Sequence, residues 1–131
     1  MKAKLLLRIA AILMLLHAAG HTMGALSWKE APNSAVAQVI SGMQNNHFIF
    51  MGRSSSIAGF YEGYGISMIL VLLFVSISLW LLSAAPVKPL LVVTGLFLTG
   101  LAVVEYIYFF PLPAAFSLLA GLSTLMAVKT A

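Results

Sequence analysis

Four ionisable side chains in apolar surroundings are the residues of this chain that could do chemistry. His17 and His21 stand four residues apart in the first apolar run. Glu62 lies near the start of the second run, and Glu105 lies near the end of the third. A charge at the centre of a bilayer costs about 2.5–3.5 kcal/mol even on the mildest insertion scale, so residues kept at that cost are expected to have a function.

The two histidines could bind a metal ion together. At a spacing of four they face the same side of a helix. Glu62 and Glu105 could complete a shell of nitrogen and oxygen ligands, which suits zinc, iron or manganese. The chain has no cysteine, which excludes a disulfide and a thiolate metal site. One hypothesis is therefore a divalent-metal site formed by His17, His21, Glu62 and Glu105.

The same side chains also fit other roles. They could line a pocket for a polar head group or a small polar ligand, with Arg53 holding an anionic group through its planar guanidinium. Glutamate and histidine could also relay protons. In a purely structural alternative, Glu62 pairs with Arg53, and Glu105 pairs with a histidine or a tyrosine hydroxyl. No motif for a nucleophile triad or a phosphate-binding loop is present, so the sequence does not identify an enzyme.

The composition indicates that lipid surrounds these residues. Of the 131 residues, 62% are hydrophobic and only 8% are charged, whereas soluble domains carry about 25% charged residues. The net charge of +4 comes from basic residues scattered singly near the ends of the apolar runs. Because no basic patch exists, nucleic acid is not an expected partner.

Four apolar runs predict an all-α, integral membrane four-helix bundle that forms a single domain over residues 1–131. The predicted transmembrane helices cover residues 9–28, 57–83, 90–110 and 112–128. The first run also has the basic start of a signal peptide, but it lacks a clean small-x-small cleavage site and stays apolar past His17 and His21, so we expect a retained helix. Pro111 and Pro113 leave so short a turn that the last two helices must be antiparallel neighbours.

The distribution of basic residues predicts the orientation. In a four-span arrangement, five basic residues fall on one side and two on the other, and the richer side is expected to be cytoplasmic. The five are Lys2, Lys4, Arg8, Lys88 and Lys129, and the two are Lys29 and Arg53. Both termini are therefore predicted to be cytoplasmic, in a multi-pass protein of the bacterial inner (plasma) membrane.

The loop over residues 29–56 is predicted to lie outside the cell and to contain a short amphipathic helix. Val36, Val39, Ile40 and Met43 recur at helical spacing after a plausible helix start at residues 32–34. The apolar residues 48–51 are expected to fold back onto the bundle, and residues 52–56 are expected to form a turn.

Helix geometry predicts the depth of the ionisable residues. With a rise of about 1.5 Å per residue, His21, Glu62 and Glu105 share one layer in the outer half of the membrane, and His17 lies one turn deeper. The predicted ligand-binding pocket consists of His17, His21, Arg53, Glu62 and Glu105.

Three stretches carry a resemblance to known proteins. They are LHAAGHTMG at 16–24, FMGR at 50–53 and FYEGYG at 60–65. They resemble short bacterial four-helix inner-membrane proteins, which implies a fold but no activity. More distantly, the size, the four spans and an arginine ahead of a His/Gly-rich first helix are similar to DoxX-like membrane proteins. That resemblance implies a compact bundle and a redox or quinone-linked role.

Together these features predict a small inner-membrane protein that binds a small polar or amphipathic ligand, or serves as an accessory subunit. The alternatives are a metal-dependent or redox membrane enzyme and a proton-coupled carrier. A carrier would need an oligomer, because four short spans cannot line a transport path alone. The expected partners are membrane lipid, a small ligand, and further copies of the chain or a larger membrane complex.

Overall fold

The computed structural model describes residues 2–131 and is mostly helical. In chain order the elements are α1 (Lys2–Ser27), α2 (Ser34–Asn45), β1 (His47–Phe50), β2 (Arg53–Ser56), α3 (Ile57–Leu82), α4 (Lys88–Tyr108) and α5 (Pro111–Val128). By length and composition, α1, α3, α4 and α5 could each cross a membrane. The prediction of four long apolar helices is thus confirmed, whereas the β-hairpin departs from the all-α prediction.

Prolines and good helix formers set the helix boundaries. Pro89 and Pro111 each stand in the first turn of a helix, where a missing N–H costs nothing. Helix α1 begins at Lys2 rather than at residue 9, because the lysines, leucines and arginine before Ile9 favour helix as strongly as the apolar run does.

Helix α2 is short and capped at both ends by asparagine. The Asn33 side chain accepts a hydrogen bond from the Val36 N–H at 3.0 Å, which satisfies one of the free donors at the start of the helix. At the other end the Asn46 side-chain amide donates to the Gly42 carbonyl at 2.8 Å. Ile40 is the residue of this helix that is buried.

The expectation of a turn over residues 52–56 is wrong, because a hairpin forms instead. Strands β1 and β2 pair antiparallel, with Phe48 opposite Ser55. Met51 and Gly52 both have positive φ, 48° and 80°, which is the geometry of a tight hairpin turn. Three consecutive serines carry little strand propensity, so their pairing with the apolar strand was not evident from the pattern.

The chain divides into two compact units. One contains the chain up to Gly20 and Val71–Ala131, and the other contains His21–Leu70. In the second unit, alternate side chains of β1 share a face, and Phe48 and Phe50 both contact Phe60, with ring centroids 6.0 and 5.8 Å apart.

Helices α4 and α5 are the most closely packed helix pair of the first unit. A Cβ on Gly95 would lie 2.6 Å from Leu125, and a Cβ on Gly121 would lie 2.9 Å from the Thr99 hydroxyl. The contacts move down α5 as they move up α4, so the helices are antiparallel neighbours, as predicted. Small residues permit this approach where lipid supplies no hydrophobic drive.

Candidate functional site

His17, Glu105 and Ser117 form a polar cluster inside the first unit. The His17 Nε2 lies 3.3 Å from Glu105 Oε1, and its Nδ1 lies 3.2 Å from Ser117 Oγ. The cluster therefore joins α1, α4 and α5 through both nitrogens of one imidazole. When Nε2 carries the proton, its N–H faces the carboxylate and Nδ1 can accept a hydrogen bond from the serine hydroxyl.

All three residues are buried. His17 is 4% exposed, Glu105 is 5% exposed and Ser117 is fully enclosed. The Phe116 ring stacks against the imidazole, with centroids 6.2 Å apart. Surroundings of this kind strengthen each polar contact and make an unpaired polar atom costly.

One atom of the cluster lacks such a contact. Glu105 Oε2 is buried and accepts no hydrogen bond, although Oε1 faces His17. A buried carboxylate oxygen ordinarily has a donor, so this atom is the point where the cluster could bind a further donor group.

The described residues contain no ready-made metal site. Within residues 2–131 no group of three or more His, Asp or Glu side chains is placed to hold a metal ion. Of the four predicted ligands, His17 and Glu105 belong to the first unit and lie together, whereas His21 and Glu62 belong to the second unit. The four-residue zinc, iron or manganese site therefore stays a prediction.

Glu62 has a different partner, in the second unit. Its carboxylate forms an ion pair with Lys29, and its side chain is 42% exposed. The alternative pairing with Arg53 is thus wrong. Next to this pair Trp28 contacts Tyr61, with ring centroids 5.0 Å apart, so the end of α1 and the start of α3 are joined by one ionic and one aromatic contact.

Side-chain direction fits the two pairings that the structure shows. In a helix the Cα–Cβ bond tilts toward the N-terminus. Glu105 therefore leans toward the Lys88 end of α4, and its carboxylate contacts His17. Glu62 leans toward the start of α3, where Lys29 lies. The sequence prediction placed residues by the height of their Cα atoms and did not include this offset.

The other two predicted site residues lie outside the cluster. His21 belongs to the second unit, half-buried, and its Nε2 has no hydrogen-bond partner. Arg53 is exposed at the first position of β2, opposite Phe50.

Sequence reasoning missed Ser117 and Lys29. Ser117 was not among the predicted site residues, and Lys29 was interpreted only as a charge that sets orientation. A signal for Ser117 was available, because it lies in the half of α5 nearest the turn that brings it beside Glu105.

Comparisons with known protein families, with curated proteins and with solved structures found no match to this chain. The resemblances noted in the sequence therefore stay predictions, and the function is inferred from the residues and contacts of this chain alone.

Proposed function

We propose that this chain is a multi-pass protein of the bacterial inner membrane, with both termini in the cytoplasm, that binds a small polar or amphipathic ligand through the His17–Glu105–Ser117 cluster. The ligand would present a hydrogen-bond donor, such as a hydroxyl or an amino group, to Glu105. The rest of the ligand would be apolar enough to reach a site among the long helices.

The observation that carries this proposal is the unpartnered oxygen of Glu105. A structural ion pair is expected to satisfy both carboxylate oxygens, because a half-satisfied buried network is less stable than an apolar core. Here Oε1 faces His17 while Oε2 has no donor. A ligand that donates to Oε2 would complete the network.

In this proposal the loop over residues 29–56, which belongs to the second unit, lies at the outer surface of the membrane. Val36 and Val39 are exposed on α2 while Ile40 is buried. With Gln38 and Ser41 on the side of the helix that faces away from Val36, this pattern favours a short amphipathic helix at the outer surface of the membrane. The exposed apolar residues of the hairpin, Ile49 and Met51, would lie at the same interface.

Mass spectrometry of the molecules that co-purify with the protein tests the proposal. Wild-type protein and Glu105→Gln are purified in the same mild detergent and extracted with organic solvent. We expect at least one compound in the wild-type extract to be reduced about tenfold in the variant, as losing a charged hydrogen bond of about 1.4 kcal/mol or more implies.

Glu62→Gln is the matched control, because it makes the same chemical change in the exposed pair with Lys29. Its extract should equal that of the wild type. Identical extracts from wild type and Glu105→Gln, with both proteins folded by circular dichroism, would contradict ligand binding and favour a structural role for the cluster.

A further inference from the structure

A second site lies in a groove between α1 and α3 of the first unit. The groove has a volume of about 250 Å³. Its lining comprises Ala11, Ile12, Leu15, Ser76, Ile77, Trp80 and Leu81. At its floor the Ser76 hydroxyl donates to the Ala11 carbonyl at 2.8 Å. Because this bond satisfies the Ser76 hydroxyl, the groove presents an almost wholly apolar surface.

A cation stands at the end of this groove. The Arg8 guanidinium carbon lies 4.8 Å from the centre of the Trp80 ring. A guanidinium stacked on an indole is held in place while its N–H groups still point outward along the ring edge. The Nε of Arg8 is buried and has no hydrogen-bond partner, so no protein acceptor holds the guanidinium at that atom.

The order of charge and apolar surface along α1 matches that of a phospholipid. Lys4 and Arg8 are one helical turn apart and lie on one side of the helix. Ile12 and Leu15 come next on the same side of the helix and line the groove. The distance from Arg8 to Leu15 along the helix axis is about 10 Å. A phosphate at Arg8 would thus have one acyl chain running along the groove, past Ile77 and Leu81.

We infer that this groove binds an anionic phospholipid of the cytoplasmic leaflet, with its phosphate on Arg8 and an acyl chain between α1 and α3. An anionic lipid is favoured over a zwitterionic one because Arg8 and Lys4 together carry two positive charges and no carboxylate contacts Arg8 among the described residues. The inference rests on the proposed membrane insertion, but it is independent of ligand binding at Glu105.

Tryptophan fluorescence tests the inference directly. The chain has two tryptophans, so Trp28→Phe leaves Trp80 in the groove as the only one. The full-length variant is reconstituted into phosphatidylcholine vesicles that contain either brominated phosphatidylglycerol or brominated phosphatidylcholine. Bromine on an acyl chain quenches an indole that it contacts. We expect brominated phosphatidylglycerol to associate about thirtyfold more strongly near Trp80, the preference that two cations near the surface provide at about 1 kcal/mol each.

Arg8→Gln in the same background should lower this preference to about fivefold, because Lys4 remains, while Lys88→Gln should leave it unchanged. Lys88 begins α4 in the same unit but does not line the groove. If Arg8→Gln does not fold, the preference of the parent protein still decides the question. Equal quenching by the two brominated lipids would overturn the inference.

Two further measurements distinguish lipid binding from a failure to insert into the membrane and from binding of free phosphate. Absence of quenching by either lipid would mean that the protein does not insert, which contradicts the proposed function as well. An excess of inorganic phosphate, compared with chloride at equal ionic strength, should leave the lipid preference intact. If phosphate alone abolished it, Arg8 would bind free phosphate and the lipid site would be lost.

Discussion

At the scale of single residues, two ion pairs within residues 2–131 differ mainly in burial. His17 and Glu105 have side chains only 5% and 7% exposed, whereas Lys29 and Glu62 are 51% and 42% exposed. Water screens the second pair, so its two partners are nearly independent of each other. Removing one partner of the first pair leaves a polar group buried without its counterpart, and the cost is correspondingly larger.

We predict that His17→Leu lowers the free energy of unfolding by about 3 kcal/mol or more, because it leaves the Glu105 carboxylate buried without its partner. The double variant His17→Leu with Glu105→Leu should recover much of this loss, since no charge is then buried. Reversible unfolding in mixed micelles measures both values.

The exposed pair of Lys29 and Glu62 supplies the control for the His17 and Glu105 variants. Lys29→Met should lower the same free energy by less than about 1 kcal/mol. If His17→Leu and Lys29→Met lowered the free energy of unfolding equally, burial of the His17–Glu105 pair would make no difference to its contribution to stability. That result would contradict the prediction.

Two of the three residues of the polar cluster could be predicted from the sequence alone. An ionisable side chain within an apolar run is conspicuous, so His17 and Glu105 were both identified, and pairing of Glu105 with a histidine was one of the alternatives. The choice of His17 over His21 depends on the tilt of the side chain and on the rotation of each helix about its axis. Sequence periodicity in helices that are apolar on nearly all sides does not determine that rotation.

At the scale of elements, the hairpin of α4 and α5 depends on two glycines. The distance between the helices is set where Gly95 and Gly121 face each other's backbones. The Thr99 and Thr124 hydroxyls donate to the carbonyls of Gly95 and Ala120, each at 2.8 Å. Their hydrogen bonds are thereby satisfied within their own helices, so the close contact requires no polar bond between the helices.

We predict that Gly121→Ala lowers the free energy of unfolding by about 1–3 kcal/mol, because the new methyl group would lie 3.1 Å from the Thr99 nitrogen and from the Gly95 carbonyl oxygen. Gly100→Ala is the matched control, since no atom lies within 4 Å of its added Cβ. It should be neutral or slightly stabilising, because alanine is the better helix former. Both are measured by unfolding in micelles, and equal losses would contradict the close contact.

The helices were more predictable than the segment between α2 and α3. Prolines and long apolar runs fix where α3, α4 and α5 begin, to within two residues of the sequence prediction. The hairpin of residues 47–56 was not predicted, because its second strand is rich in serine and its turn lacks the Asn-Gly or Asp-Gly pair that usually indicates such a turn. Its packing depends on Phe60, which is outside the segment.

At the scale of the whole molecule, the absence of cysteine makes the orientation in the membrane directly testable. We predict that Met51→Cys, at the exposed tip of the hairpin, reacts with a membrane-impermeant maleimide in intact cells. Lys2→Cys and Thr130→Cys should react only after the membrane is permeabilised, because the side richer in Lys and Arg is retained in the cytoplasm.

The unmodified protein should not react under either condition, which controls for background labelling. Reaction of Lys2→Cys or Thr130→Cys in intact cells would reverse the orientation that the basic residues predict. It would also place Arg8 and its groove in the outer leaflet rather than the inner one.

The polar cluster also constrains how the protein is made. His17 and Ser117 are 100 residues apart in the chain, so during synthesis the histidine would enter the bilayer long before either partner exists. Glu105 and Ser117 belong to one tightly packed helical hairpin and would enter together, with the hydroxyl near the carboxylate. Completing the cluster is therefore a late step of biogenesis, and a chain that stops before α5 would leave the His17 and Glu105 side chains without Ser117, exposed to membrane quality control.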